Sequence, residues 1–138
     1  MQKANFRVLS QRRFDAAEND LKSAKVILTE GGYYGTTCFL AQQIAEKYLK
    51  GFLVYYGKDP GKIHALLALL KRCIQIDSKL KSLEKACRRL DKYYIEPRYA
   101  DFPIDYSKKE TEQVLNDALY VRDLIRKTLV SSFTVVED

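Results

Sequence analysis

A chain of 138 residues with 46% hydrophobic and 30% charged side chains, six Gly and three Pro suits one globular domain, residues 1–138, able to bury its own core. No apolar run approaches the roughly 18 residues that span a bilayer, and the opening MQKANFRVLSQRRFDAAEND lacks an apolar stretch ahead of a cleavage site; a cytoplasmic protein with no membrane contact is the expectation. The net charge of +6 is uneven: residues 1–57 carry eight basic and five acidic side chains, residues 58–98 eleven and five, and residues 99–138 five and eight. The basic middle segment is either a surface that attracts phosphate or a solvated helix face.

Apolar residues recurring at three- and four-residue steps predict helices throughout. A first helix is expected from about Ser10, as N-cap, to Thr29, with Phe14, Ala17, Leu21, Ala24, Ile27 and Leu28 on one face and Gly31-Gly32 as the stop. A second runs from about Gly35 to Tyr56 and ends at Gly57, before the turn KDPGK. A third covers about Lys62 to Ile76. Asp77-Ser78 then cap a fourth that reaches about Tyr94, and Pro97 bars α conformation at Glu96. PRYADFPIDY reads as a loop. Ser107, with Glu110 three residues on, forms a capping box for a last helix over about 108–130 that buries Val114, Leu115, Ala118, Val121, Leu124, Ile125 and Leu129. The core therefore spans about 10–130, and SSFTVVED (131–138) is expected to be a tail that frays or docks on a neighbouring chain. Long helices with short connections imply an all-α, up-down antiparallel bundle of about five helices.

Cys38, Cys73 and Cys87 are too few and too scattered for a disulfide framework and form no CxxC pair, so buried free thiols are expected. A Gly-rich phosphate loop, a GxSxG elbow and a His/Cys cluster for a metal are all missing from the sequence. Asp101 and Asp105, spaced four apart across a proline, suit turn chemistry better than a metal site.

Residues 38–53, CFLAQQIAEKYLKGFL, carry the most information. On a helical wheel, Ala41, Ile44, Ala45, Tyr48, Leu49, Phe52, Tyr55 and Tyr56 fill a broad apolar arc, which suggests a central helix. Gln43, Glu46, Lys47 and Lys50 lie opposite, with Phe39 and Leu53 among them, so even the polar face is expected to meet something. Taken alone, Glu46 with Lys50 is equally a routine i,i+4 pair worth about 0.3–0.5 kcal/mol.

Phe39, Gln42, Gln43, Glu46, Lys47, Leu49 and Lys50 resemble the signature F-x-x-Q-Q-x-x-E-K-x-L-K of the HEPN domain (higher eukaryote and prokaryote nucleotide-binding). His64, some fourteen residues after the last motif lysine, and the pair Arg98-Tyr99 before the final helix agree in order and spacing, and the likeness spans about residues 10–130. The resemblance implies a helical bundle like the C-terminal domain of kanamycin nucleotidyltransferase, a homodimer, and a minimal nucleotidyltransferase as partner. Many members are metal-independent ribonucleases with an Arg-x4–6-His motif, in which His moves a proton at the ribose 2′-hydroxyl and Arg holds the phosphate. Arg98 matches that Arg, but the window for His holds Phe102, Pro103, Ile104 and Asp105. The one histidine, His64, is left with three readings: a polar cap for helix three, a hydrogen-bonded core residue, or a group that approaches Arg98 in space.

The expected function is thus a non-catalytic module that binds nucleotide or RNA, with no cofactor and no metal. Its candidate ligand residues are Gln43, Glu46, Lys47, Lys50, His64, Arg98 and Tyr99, with Phe102 offering a second aromatic face. The alternatives are an RNA-binding or RNA-cleaving toxin and a purely structural dimer built on tyrosines Tyr33, Tyr34, Tyr48, Tyr55, Tyr56, Tyr93 and Tyr94. Some HEPN proteins are silenced by AMP attached to a Tyr two residues past the motif His; here that position is Tyr106, which as a residue just before a helix cap equally suits a packing role.

Overall fold

Among the described residues, five α-helices succeed one another without a strand: α1 (Lys3–Glu30), α2 (Tyr34–Tyr55), α3 (Leu66–Ile76), α4 (Glu84–Asp91) and α5 (Lys108–Glu137). In this computed structural model the backbone is described for residues 3–94 and 105–137, and the side chains for residues 5–94 and 105–130. Arg98, Tyr99, Asp101, Phe102 and Ile104, like the expected break at Glu96-Pro97, lie outside the described residues.

The helix α2 is the hub, packing against α1, α3, α4 and α5 as its broad apolar arc implies. Ala41, Ile44, Ala45, Tyr48, Leu49 and Phe52 are completely buried, and Ala17, Leu21 and Ala24 of α1, Leu66, Leu69 and Leu70 of α3, Leu90 of α4 and Ala118, Val121 and Ile125 of α5 close around them. A three-residue turn joins α1 to α2, so the two run antiparallel. Gly31 makes that turn at φ 94°, a conformation that costs glycine little. The two helices approach closely at Gly51, where a methyl group would collide with the Phe14 ring. That ring stacks on Tyr48 with centroids 4.9 Å apart.

Several local expectations are corrected. Ser10 is not an N-cap: α1 already runs from Lys3, and the Ser10 hydroxyl donates back to the Arg7 carbonyl at 2.9 Å inside the helix. The third helix begins at Leu66, four residues late, because Gly61 takes φ 66° and the chain stays non-helical through Ala65. Asp77 does cap the next element, accepting from the Lys79 N–H at 3.0 Å. That element is a 3₁₀ turn, Ser78–Leu83, leading into the short α4. Ser107 caps α5 through the Glu110 N–H at 3.0 Å, while the Glu110 carboxylate accepts from the Tyr93 hydroxyl at 2.7 Å. The last helix extends further than about residue 130: α5 continues as helix to Glu137.

Candidate functional site

The polar stripe of α2 is not a solvated face. Glu46 and Lys50 keep 6% and 7% of their surface and Gln42 none, and Leu53 belongs to the core. His64, at the end of the segment that leads into α3, reaches this stripe with both its carbonyl and its ring.

Within the stripe the polar atoms form one network. Lys50 Nζ lies 3.1 Å from Glu46 Oε2, and the side chains of the pair are only 9% and 8% exposed. The same oxygen lies 3.3 Å from His64 Nδ1. Gln42 Nε2 donates to the His64 carbonyl at 3.3 Å and approaches Glu46 Oε1 at 3.5 Å, and Gln43 Nε2 donates to Gln42 Oε1 at 2.6 Å. A carboxylate only accepts, so this contact requires an N–H on Nδ1 of His64. The His64 side chain is half exposed, and its ring tilts against Tyr94 at 5.0 Å between centroids. His64 is therefore neither a helix cap nor a core residue. The cap of α3 comes from α4: Asp91 accepts from the N–H groups of Leu66 and Leu67 at 2.8 and 3.3 Å.

The predicted residues divide accordingly. Glu46, Lys50 and His64 meet, with Gln43 tied in through Gln42. Lys47 turns away to an ion pair with Asp20 of α1. Arg98 and Tyr99 lie outside the described residues, and with them the question of whether His64 approaches Arg98. Sequence reasoning missed Gln42 as a site residue although it stands in the motif, and missed Tyr94 and Asp91, which only the fold brings near.

Tyr106 is half-buried against the core, its ring edge-on to Tyr93 at 5.6 Å, and burial first, then the neighbouring Cys38, pushes its phenol above the usual range. Other tyrosines serve the chain itself. The Tyr48 hydroxyl donates to Glu18 at 2.7 Å, and Arg122 and Arg126 of α5 reach the same carboxylate at 3.4 Å, clasping α1, α2 and α5 together. Burial, with the bond to Glu18, raises the Tyr48 phenol strongly. All three cysteines are buried and free, and burial pushes Cys38 up to about 11 and Cys73 and Cys87 up to about 12. Among the described residues, no three or more His, Cys, Asp or Glu side chains are placed to share a metal ion, and no helix is long and apolar enough to cross a membrane.

Comparison with known proteins adds to this geometry. Two solved structures are similar: TT1696 from Thermus thermophilus, at 28% identity and a TM-score of 0.70, and ST0689, an archaeal HEPN homologue, at 26% identity and a TM-score of 0.71; each alignment covers 86% of this chain and 96% of the other. No curated protein sequence matches the chain significantly. Residues 10–128 match the HEPN domain, nearly the whole of the chain and all of the α2 network, and the protein therefore belongs to the HEPN domain family.

Proposed function

We propose that this HEPN domain is a binding module that takes a phosphate-bearing ligand, a nucleotide or RNA, at the mouth marked by His64. The observation that carries the reading is the buried Glu46–Lys50 pair, which spends two charges on fixing a half-exposed imidazole. Burying charges costs several kcal/mol unless geometry repays it, so their use to orient one exposed ring favours a role for that ring. Tyr94 beside it supplies an aromatic face, and Arg98 and Tyr99 come four and five residues after Tyr94 in the sequence. In this reading the Arg98 guanidinium and the Nε2–H of a protonated His64 donate to the phosphate, Glu46 positions His64 through Nδ1–H, and Lys50 balances Glu46. Lys47 holds α1 to α2 and takes no part.

The domain acts as a homodimer alongside a minimal nucleotidyltransferase, in keeping with its family. Leu53 is spent on the chain's own core and so gives no ground for a dimer. The surface proposed for self-association is instead the groove of about 280 Å³ where α1, α2 and α5 meet, lined by Gln11, Phe14, Tyr55 and Leu129.

Calorimetric titration with ATP and with a short RNA tests the site. Each contact to a charged group contributes about 1.5–3 kcal/mol, so His64→Ala and Arg98→Ala are each expected to weaken binding about tenfold or more. Unchanged affinity in both variants would remove the site.

A further inference from the structure

Apart from Arg98, the basic side chains of segment 58–98 take no part in the site proposed around His64. Four of the segment's eleven cations line the outer side of α4, on a face away from the buried Ala86, Cys87 and Leu90. At about 100° per residue, Lys85, Arg88, Arg89 and Lys92 fall within one arc of about 100°, opposite the core. All four are exposed, as is Lys81 in the preceding 3₁₀ turn. Arg89 is neutralised by Asp117 of α5 through two bonds of 2.8 Å. No carboxylate among the described residues forms an ion pair with Lys81, Lys85, Arg88 or Lys92. One turn along α5 from Asp117 stands Tyr120, a large side chain left 48% exposed, its hydroxyl 3.4 Å from Ser82 of the 3₁₀ turn. An exposed aromatic side chain thus meets, at Ser82, the 3₁₀ turn that leads into this arc of cations.

We propose that the outer face of α4, edged by Tyr120, is a docking surface for single-stranded nucleic acid, with Lys81, Lys85, Arg88 and Lys92 on phosphates and a base stacked on the Tyr120 ring. The charge alone fits any polyanion. The exposed ring decides for an unpaired base, because cations along a backbone combined with an aromatic platform are what single strands use. A duplex offers no free base face, and an acidic polypeptide gives the ring no stacking partner. The surface is separate from the His64 mouth and does not depend on it.

Fluorescence anisotropy on the full chain tests this, with a labelled twelve-nucleotide oligouridylate, an RNA duplex of equal length, and polyglutamate as competitor. The single strand is expected to bind with an affinity that falls with salt. Each phosphate contact adds about −0.7 to the slope of log affinity against log salt, so Lys85→Ala with Arg88→Ala and Lys92→Ala should weaken binding at least tenfold and flatten that slope by about 2. Tyr120→Ala should cost about tenfold while Tyr120→Phe keeps the affinity, which separates the ring from its hydroxyl. All these positions are exposed, and circular dichroism checks that the variants stay folded. Unchanged binding in the triple variant overturns the proposal. So does equal affinity for the duplex, and so does polyglutamate competing fully while Tyr120→Ala is silent, which would reassign the face to an acidic protein. ATP titration keeps the two sites apart: the triple variant is expected to bind ATP like the parent, and oligouridylate affinity that is lost in His64→Ala yet unchanged in the triple variant overturns the α4 face.

Discussion

Replacing Glu46 with Ala puts the interpretation of the α2 stripe at risk most directly. The substitution strands the Lys50 ammonium, whose side chain is only 9% exposed, without its carboxylate at 3.1 Å. Breaking a buried pair by removing one partner costs about 3–5 kcal/mol. The lower end applies, since the lysine stem can carry its charge toward the half-exposed His64 edge. With an unfolding entropy of about 2.1 cal/mol/K per residue over 138 residues, a loss of about 3 kcal/mol lowers the melting temperature by about 10 °C. Urea and thermal unfolding followed by circular dichroism measure both quantities. The companion variant Glu46→Leu with Lys50→Met removes both charges and is expected within about 1 kcal/mol of the parent. It should nonetheless bind ATP poorly, because His64 has lost its tether, so the pair of variants separates stability from binding. A cost below about 1 kcal/mol for Glu46→Ala would show an ordinary surface pair and refute the reasoning.

Asp91→Ala should destabilise the fold by about 1 kcal/mol, the usual cost of losing a helix cap, and Asp91→Asn by less, since its one amide oxygen still accepts from Leu66 at the Oδ1 position while the bond from Leu67 to Oδ2 is lost; equal urea midpoints for the three proteins would show that α3 needs no cap. Stability should fall with alkaline pH. The folded thiols titrate at about 11 and 12 against an ordinary 9.0, so the folded state holds protons that the unfolded chain releases. Their contribution is complete below about pH 9 and is lost as pH climbs through 11–12; a urea midpoint that stays flat or rises between pH 8.5 and 11 contradicts this. Metal-independent RNA cleavage should be negligible, since no imidazole stands in the motif window after Arg98; robust cleavage by the purified chain, lost in His64→Ala, would mean that the Glu46-held imidazole has taken over the role.

The architecture is legible in the sequence because its signals are local. Three- and four-residue apolar steps mark α1, α2 and α5, and Gly31, Gly57 and Ser107 place the end of α1, the end of α2 and the start of α5 to within a residue or two. Where sequence and structure part, a distant residue has replaced the local signal or a local one extends further than it seems. Ser10 looks like a cap only when Phe6 and Leu9, which continue the apolar face of α1 backwards, are left uncounted. The start of α3 carries no capping side chain of its own, since its cap sits 25 residues away on α4. The 3₁₀ turn at Ser78–Leu83 buries Leu80 and Leu83, a spacing of three that a helix shares.

The α2 stripe shows what kind of knowledge a helical wheel lacks. The wheel sorts side chains by polarity, but whether polar means wet depends on what lies across from them. Here the segment that brings His64 to the stripe is non-helical, with Gly61 at φ 66° and the His64 carbonyl accepting from Gln42, and so carries no periodicity to read. One clue does survive in the sequence: Phe39 and Leu53 stand in line with Glu46 and Lys50, and Leu53 is core. The consequence reaches beyond the stripe. Because Lys47 is paired with Asp20 and Lys50 with Glu46, the motif lysines cannot supply the positive surface that the net charge promises. The outer side of the short α4 is one place where the fold sets exposed cations, Lys85, Arg88 and Lys92, side by side with no ion pair among the described residues.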